Sequence, residues 1–283
     1  MSIHTLWRRT ARALAGIGLA ALLTGCLFAP GKFTSQLDLR KDGSFTFTYQ
    51  GEIYMLALSQ LSDMAKTQEF KPEPCRDANY EEHACTRAEL DQQRSEWEQR
   101  QASKKTENER NMKAMQALLG GIDPSDPKAA QEIADRLKRQ RGWSNVEYDG
   151  NGLFNVDYKV TSRMTHDFVF PVFEGFPMAN SFVVATLRDG NAVRIEAPGF
   201  SGQSLTGSSM SGMLEAVEAG KTKHEDQPGV PRLDGRFTIT TDGAILANNT
   251  DEGPQPAANG QQLSWSINVR TTNPPVALIR LGD

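Results

Sequence analysis

The chain has 283 residues, with 31 basic and 35 acidic side chains. Three of the bases, Arg8, Arg9 and Arg12, lie in an opening stretch of 25 residues that contains no acid, so the remainder carries a charge of roughly −7, which argues against phosphate backbones and hence nucleic acid as partners. An apolar fraction of 38% is modest, but a chain of this length can still bury one core, and nothing in it has the repeated long apolar runs of a polytopic membrane protein.

After the arginines, Ala13 to Leu23 form an apolar run too short to span a bilayer and suited to a secretory signal. Leu23-Thr24-Gly25-Cys26 follows directly. In that setting the tetrapeptide resembles the bacterial lipobox, which implies diacylglyceryl transfer to the Cys26 thiol and cleavage after Gly25. Residues 1–25 are then a removable signal, Cys26 opens a lipidated tether over 26–32, and the membrane is a partner through the lipid. Two or more acyl chains anchor stably, at about 0.8 kcal/mol per buried methylene. Leu27 stands where bacterial lipoproteins retained at the inner membrane often carry Asp. The resemblance therefore implies an outer-membrane lipoprotein facing the periplasm, in an organism with two membranes.

Residues 33–283 read as one domain. Phe33 to Leu39 alternate, Asp42-Gly43 supplies a turn, and Ser44 to Tyr54 resume with Phe45, Phe47 and Tyr49 on one face, which predicts a hairpin. A lipobox, an alternating strand, an Asp-Gly turn and a second alternating strand together resemble the opening of the LppM-type lipoprotein domain, an α+β envelope module. The resemblance spans about the first 30 mature residues and the later strand order, and the long inserted helix departs from it.

That segment is expected as a helical insertion over about 55–141. Helical spacing begins at Tyr54, Leu58, Leu61 and Met64 and breaks at Pro72 and Pro74. Cys75 and Cys85 are the two thiols left after Cys26, and in an oxidising compartment they predict one disulfide, worth about 3 kcal/mol for a ring of this size. The alternatives are two free thiols, or a metal held by Cys75, His83 and Cys85 with Glu81 or Glu82, at a spacing that matches no paired Cys-x-x-Cys pattern. Thr86-Arg87-Ala88-Glu89 has capping-box form, and no Gly or Pro interrupts the chain from there to Leu119. The middle, Glu98 to Asn111, is polar except for Ala102, so this helix is expected to stand in solvent on charge pairs or to meet an envelope protein through polar contacts. Asp126 and Pro127 then open a second helix with the stripe Ala130, Ile133, Ala134 and Leu137.

Further hairpins are predicted over Asn145 to Val160 around Asp149-Gly150-Asn151-Gly152, over Ser181 to Ala197 around Asp189-Gly190, and over Arg236 to Ala247 around Asp242-Gly243. Residues 199–232 are rich in Gly, Ser, Thr and Pro and read as a mobile loop. Gln262 to Arg270 alternate as a last strand. The sum is an α+β fold, an antiparallel sheet of hairpins with an inserted helical segment containing a long polar helix.

No chemistry announces itself. There is no His-Glu-x-x-His motif, the Gly-Ser segments near 199–211 lack the nucleophile-elbow spacing, and Gly220-Lys221-Thr222 follows rather than precedes its helical patch. The expectation is a noncatalytic protein with no cofactor and no metal. Phe168, Phe170, Phe173 and Phe176 fall within nine residues interrupted by Pro171 and Gly175. Such a cluster either plugs a core or lines a pocket for an acyl chain or other hydrophobic ligand. The leading expectation is thus a lipid-anchored binding or scaffold protein; the alternative is a hydrophobic-ligand carrier built on those four rings.

Overall fold

A computed structural model describes residues 28–55, 58, 69–76, 80–118, 121–123, 126, 128–173, 180–202 and 232–282. It corrects the fold class. Fourteen strands in three sheets and two helices are present among the described residues, so the fold is mainly β rather than α+β with a helical insert. The physical reason lies in what each element buries: the core is two sheets face to face, and no described side chain of the longer helix belongs to it.

The larger sheet has seven strands. Its centre is β1 (Phe28–Leu39) and β2 (Ser44–Met55), an antiparallel hairpin that pairs Leu37 with Phe47 and Leu39 with Phe45. The turn works as the sequence predicts: Asp42 Oδ1 accepts from the Ser44 amide at 2.9 Å and from its hydroxyl at 2.6 Å, and Gly43 takes φ +82°. Those two bonds hold the Asp42 carboxyl below its ordinary pKa. Beyond β2 lie β6 (Leu153–Arg163) and β5 (Trp143–Gly150), joined through Gly150, Asn151 and Gly152, all at positive φ. On the other side β10 (Asp234–Thr241) runs parallel to β1, followed by β13 (Gly260–Asn268) and the short edge strand β12 (Gln255–Ala257).

The second sheet has the order β11 (Ala244–Asn248), β14 (Val276–Arg280), β9 (Ala192–Glu196), β8 (Val183–Arg188) and β7 (Phe168–Phe170). Three of the predicted hairpins are present. The fourth is not: β10 belongs to the large sheet and β11 to the small one, so Asp242-Gly243 passes the chain between layers instead of folding it back. Gly243 allows the close approach, since a Cβ there would stand 2.7 Å from the Arg280 carbonyl oxygen.

Inward-facing Phe33, Phe47, Tyr49, Val156, Phe237 and Leu263 of the large sheet meet Phe170, Val183, Ile195 and Ile279 of the small one in one hydrophobic cluster. The expected tether over 26–32 is shorter than read, because β1 already begins at Phe28 and residues 28–31 are buried. Tyr54 likewise belongs to β2 rather than to a helix, and the spacing from Leu61 to Met64 lies outside the described residues.

The helices are α1 (Arg87–Leu118) and α2 (Ala129–Lys138). The α1 start is a capping box: the Thr86 amide donates to Glu89 Oε2 at 2.7 Å, and the Glu89 amide donates to Thr86 Oγ1 at 3.4 Å. The Thr86 amide and the Thr86 hydroxyl, at 2.8 Å, both donate to Glu89 Oε2 and, with His83 Nε2 at 3.4 Å from the other carboxylate oxygen, lower the Glu89 pKa. Its 32 residues span roughly 48 Å. The short α2 differs, burying Ala130, Ile133, Ala134 and Leu137 beside β5, while Asp126 Oδ1 accepts from the Lys128 amide at 2.8 Å.

Candidate functional site

Side chains alternate along a strand, so the residues between the core positions of β1, β2, β10 and β13 form the opposite face of the large sheet. That face carries Lys32, Thr34, Gln50, Asp234, Arg236, Ser266 and Asn268, and they surround an open groove of about 600 Å³. Register places Lys32 beside Asp234, Thr34 between Gln50 and Arg236, and Ser266 beside Arg236. Two cations, one carboxylate, two hydroxyls and two amides thus line one depression.

A bulge shapes its rim. Between Pro30 and Phe33, β1 carries two residues where β2 has one, and the displaced Lys32 amide donates to Glu52 Oε2 at 2.9 Å. Gly51, at φ +138°, lets the backbones close: a Cβ there would fall 2.2 Å from the Lys32 carbonyl oxygen. Under the floor, a Cβ on Gly235 would meet the Phe33 ring at 2.6 Å. The Gln50 amide donates to Asp157 Oδ1 at 3.1 Å, fixing one wall. None of these groove residues stood out in the sequence reading. They come from four strands and share only the solvent-facing phase of the alternation.

The phenylalanine segment occupies a different place. Phe170 is fully buried, its ring centroid 4.8–5.0 Å from those of Phe47, Tyr49 and Tyr158 and 6.0 Å from those of Trp143 and Phe182. Phe173 stacks on Phe28 at 4.1 Å and on Trp143 at 5.4 Å. Half-buried Phe168 leans on Phe45 and Phe47. These three rings fill the space between the sheets and have protein rings as partners; Phe176 lies outside the described residues. Burial also pushes the Tyr49 hydroxyl well above its ordinary pKa, with the Glu52 charge adding to the shift, and the hydroxyl donates to the Glu52 carbonyl at 2.7 Å.

Cys75 and Cys85 form the expected disulfide, with a Cα separation of 5.2 Å. It closes a two-stranded clip of β3 (Cys75–Arg76) and β4 (Glu82–His83), and both thiols of the alternative metal set are consumed. The clip seats the chain before it on α1. Gln93 exchanges two hydrogen bonds with the Glu73 backbone at 3.0 and 3.1 Å, while Phe70 packs edge-on to Trp97 at 5.8 Å and beneath the Arg94 guanidinium at 5.3 Å. Farther along, α1 offers a ladder of polar groups, including the Glu96 and Arg100 pair at 3.7 Å. Cys26 lies outside the described residues, and no helix among those described is long and apolar enough to cross a membrane.

The folded part is therefore a mainly β sandwich with a polar groove on its open sheet face and a disulfide-clipped helix. Among solved structures it is similar to the folded domain of LppM from Mycobacterium tuberculosis, at 13% identity over 92% of each chain with a TM-score of 0.31. No protein-family model matches the chain, and no curated protein matches it.

Proposed function

We propose that the protein is a noncatalytic envelope lipoprotein, anchored through acylated Cys26 and acting as a binding or scaffold module in the periplasm at the outer membrane. The observation that carries this is Leu23-Thr24-Gly25-Cys26 placed directly after three arginines and an apolar run. Anchoring confines the domain to a surface and raises its effective concentration for partners there. The polar, largely exposed stretch of α1 from Glu98 to Arg110 supports its use as the arm that meets an envelope partner. The groove's hydrogen-bonding lining suits a polar ligand better than an acyl chain.

Mass spectrometry of the N-terminal peptide from membranes tests the anchor, with diacylglyceryl on Cys26 as the expected finding. Cys26→Ser should move the protein to the soluble periplasmic fraction. An unmodified thiol, or membrane retention of the serine variant, would defeat the reading. For the arm, deletion of Lys104 to Asn111 should remove crosslinked partners while the far-UV spectrum of the sheets persists; an unchanged crosslinking pattern rejects it.

A further inference from the structure

We propose that the lipidated protein sits end-on, with the end of the sandwich around Phe28, the turn at Asn151 and Val172 held against the headgroups of the same bilayer that receives the Cys26 acyl chains. The inference rests on the reading of Cys26 as acylated and adds to it a face, an orientation and a partner, a lipid surface.

Chain length is the first argument. Cys26 and Phe28 are two Cα steps apart, so covalent geometry limits their separation to about 7 Å. Phe28 is not a free end from which more tether could be drawn. It is 2% exposed, its amide donates to Asn180 Oδ1 at 3.1 Å, its ring stacks on Phe173, and it pairs in register with Met55. A lipid attached two residues earlier therefore brings this end of the sheet to the membrane surface, with no length left for a flexible stalk.

The second argument is what the end presents. The Met55 amide donates to the Gly152 carbonyl at 2.7 Å, which sets the β5–β6 turn beside the start of β1, with Asn151 exposed at its tip. Val172, directly before the Phe173 that covers Phe28, is 57% exposed, an apolar side chain at the same end. Electrostatics does not hold this end down: Glu147 and Asp149 are exposed on β5. The short tether imposes the contact, so the domain without its lipid should not adhere to anionic vesicles.

The orientation has a consequence for the groove. Rising about 3.3 Å per residue, β1 carries Lys32 roughly 13 Å and Leu39 roughly 36 Å from Phe28. The polar groove then opens near the headgroups, while the turns at Asp42 and Asp189 stand farthest away, joined through the Gly282 amide to the Lys41 carbonyl and the Leu281 amide to the Asn191 carbonyl, both at 2.8 Å.

The test uses the full acylated protein in phosphatidylcholine and phosphatidylglycerol vesicles containing lipids with a headgroup nitroxide. With Cys26 alkylated and Cys75 bonded to Cys85, one introduced cysteine is the single thiol open to a fluorophore. Asn151→Cys and Val172→Cys label the proposed contact, Gln36→Cys the open sheet face and Asp189→Cys the distal end. The expected result is quenching at Asn151 and Val172 at least fivefold above that at Gln36 and Asp189, falling to the distal level when a twelve-residue Gly-Ser linker is inserted before Phe28. Uniform quenching, or stronger quenching at Gln36 than at Asn151, overturns the end-on geometry in protein whose acyl mass is confirmed. Absence of that mass overturns the anchoring reading and this inference together.

Discussion

Replacing Phe170 by alanine separates a core from a ligand wall. The ring is fully buried among five aromatic neighbours, Phe47, Tyr49, Trp143 and Tyr158 of the large sheet and Phe182 just before β8. Deleting it removes on the order of 150 Å² of buried apolar surface, or about 4 kcal/mol at about 25 cal/mol per Å², in line with the 3–5 kcal/mol typical of Phe→Ala in a core. Half-buried Phe168, touching Phe45 and Phe47, should lose about half as much when truncated. Urea unfolding of the chain lacking residues 1–26, followed by far-UV dichroism, measures both. With an m-value of about 2–3 kcal/mol/M, the Phe170→Ala midpoint should fall by roughly 1.5 M and the Phe170→Leu midpoint by less. A wall of a ligand pocket behaves otherwise: truncation would enlarge an existing space and cost little. A loss below about 1 kcal/mol with an unchanged native spectrum would therefore refute the assignment of this ring to the core.

Three further outcomes are expected. Gly235→Ala should cost about 1–3 kcal/mol, because its Cβ would stand 2.6 Å from both the Phe33 ring and the Phe33 carbonyl oxygen, while Ser266→Ala in the same groove should stay within about 0.5 kcal/mol in the same urea assay. Two of the shifted groups act at opposite ends of the pH scale: Glu89 has a lowered pKa, so its contribution is present above the ordinary value near 4.5 and disappears as acid protonates the folded carboxylate, exposing the Thr86 amide to faster hydrogen exchange; Tyr49 has a raised pKa, so its contribution is intact below pH 10 and disappears as alkali ionises the unfolded chain first, visible as phenolate absorbance rising together with loss of structure. Converting Cys75 and Cys85 to serine should speed exchange of the Glu73 amide, held by Gln93, and leave the thermal midpoint of the sheets nearly unchanged, since the clip lies outside the main core; a large drop in that midpoint would show that the clip belongs to the cooperative unit.

Features governed by neighbours in sequence were legible in the chain. The Asp42-Gly43 turn, the Thr86 and Glu89 capping box, the stripe of α2 and the pairing of Cys75 with Cys85 each depend on residues a few positions apart, where side-chain chemistry and spacing act directly. The polar middle of α1 likewise follows from composition. The proposed lipid attachment at Cys26 likewise rests on Leu23-Thr24-Gly25-Cys26, a motif read along the chain without reference to the fold.

What the sequence left open was decided by contacts over long separations. Asp242-Gly243 looks like any hairpin turn, yet β10 finds the free edge of β1, some two hundred residues earlier in the chain, and runs parallel to it, while β11 crosses to the other layer. A turn residue sets the local bend; which sheet edge remains unpaired sets the partner, and alternation is equally satisfied by either choice. The same holds for the phenylalanines, whose spacing is compatible with a wall or a plug until Trp143, Tyr49 and Phe182 are brought around them. The groove exists only because four strands from three parts of the chain align Lys32, Gln50, Arg236 and Ser266 on one face. Local chemistry thus determined the elements, and the burial of inward faces against one another determined the fold class, the core and the surface left open.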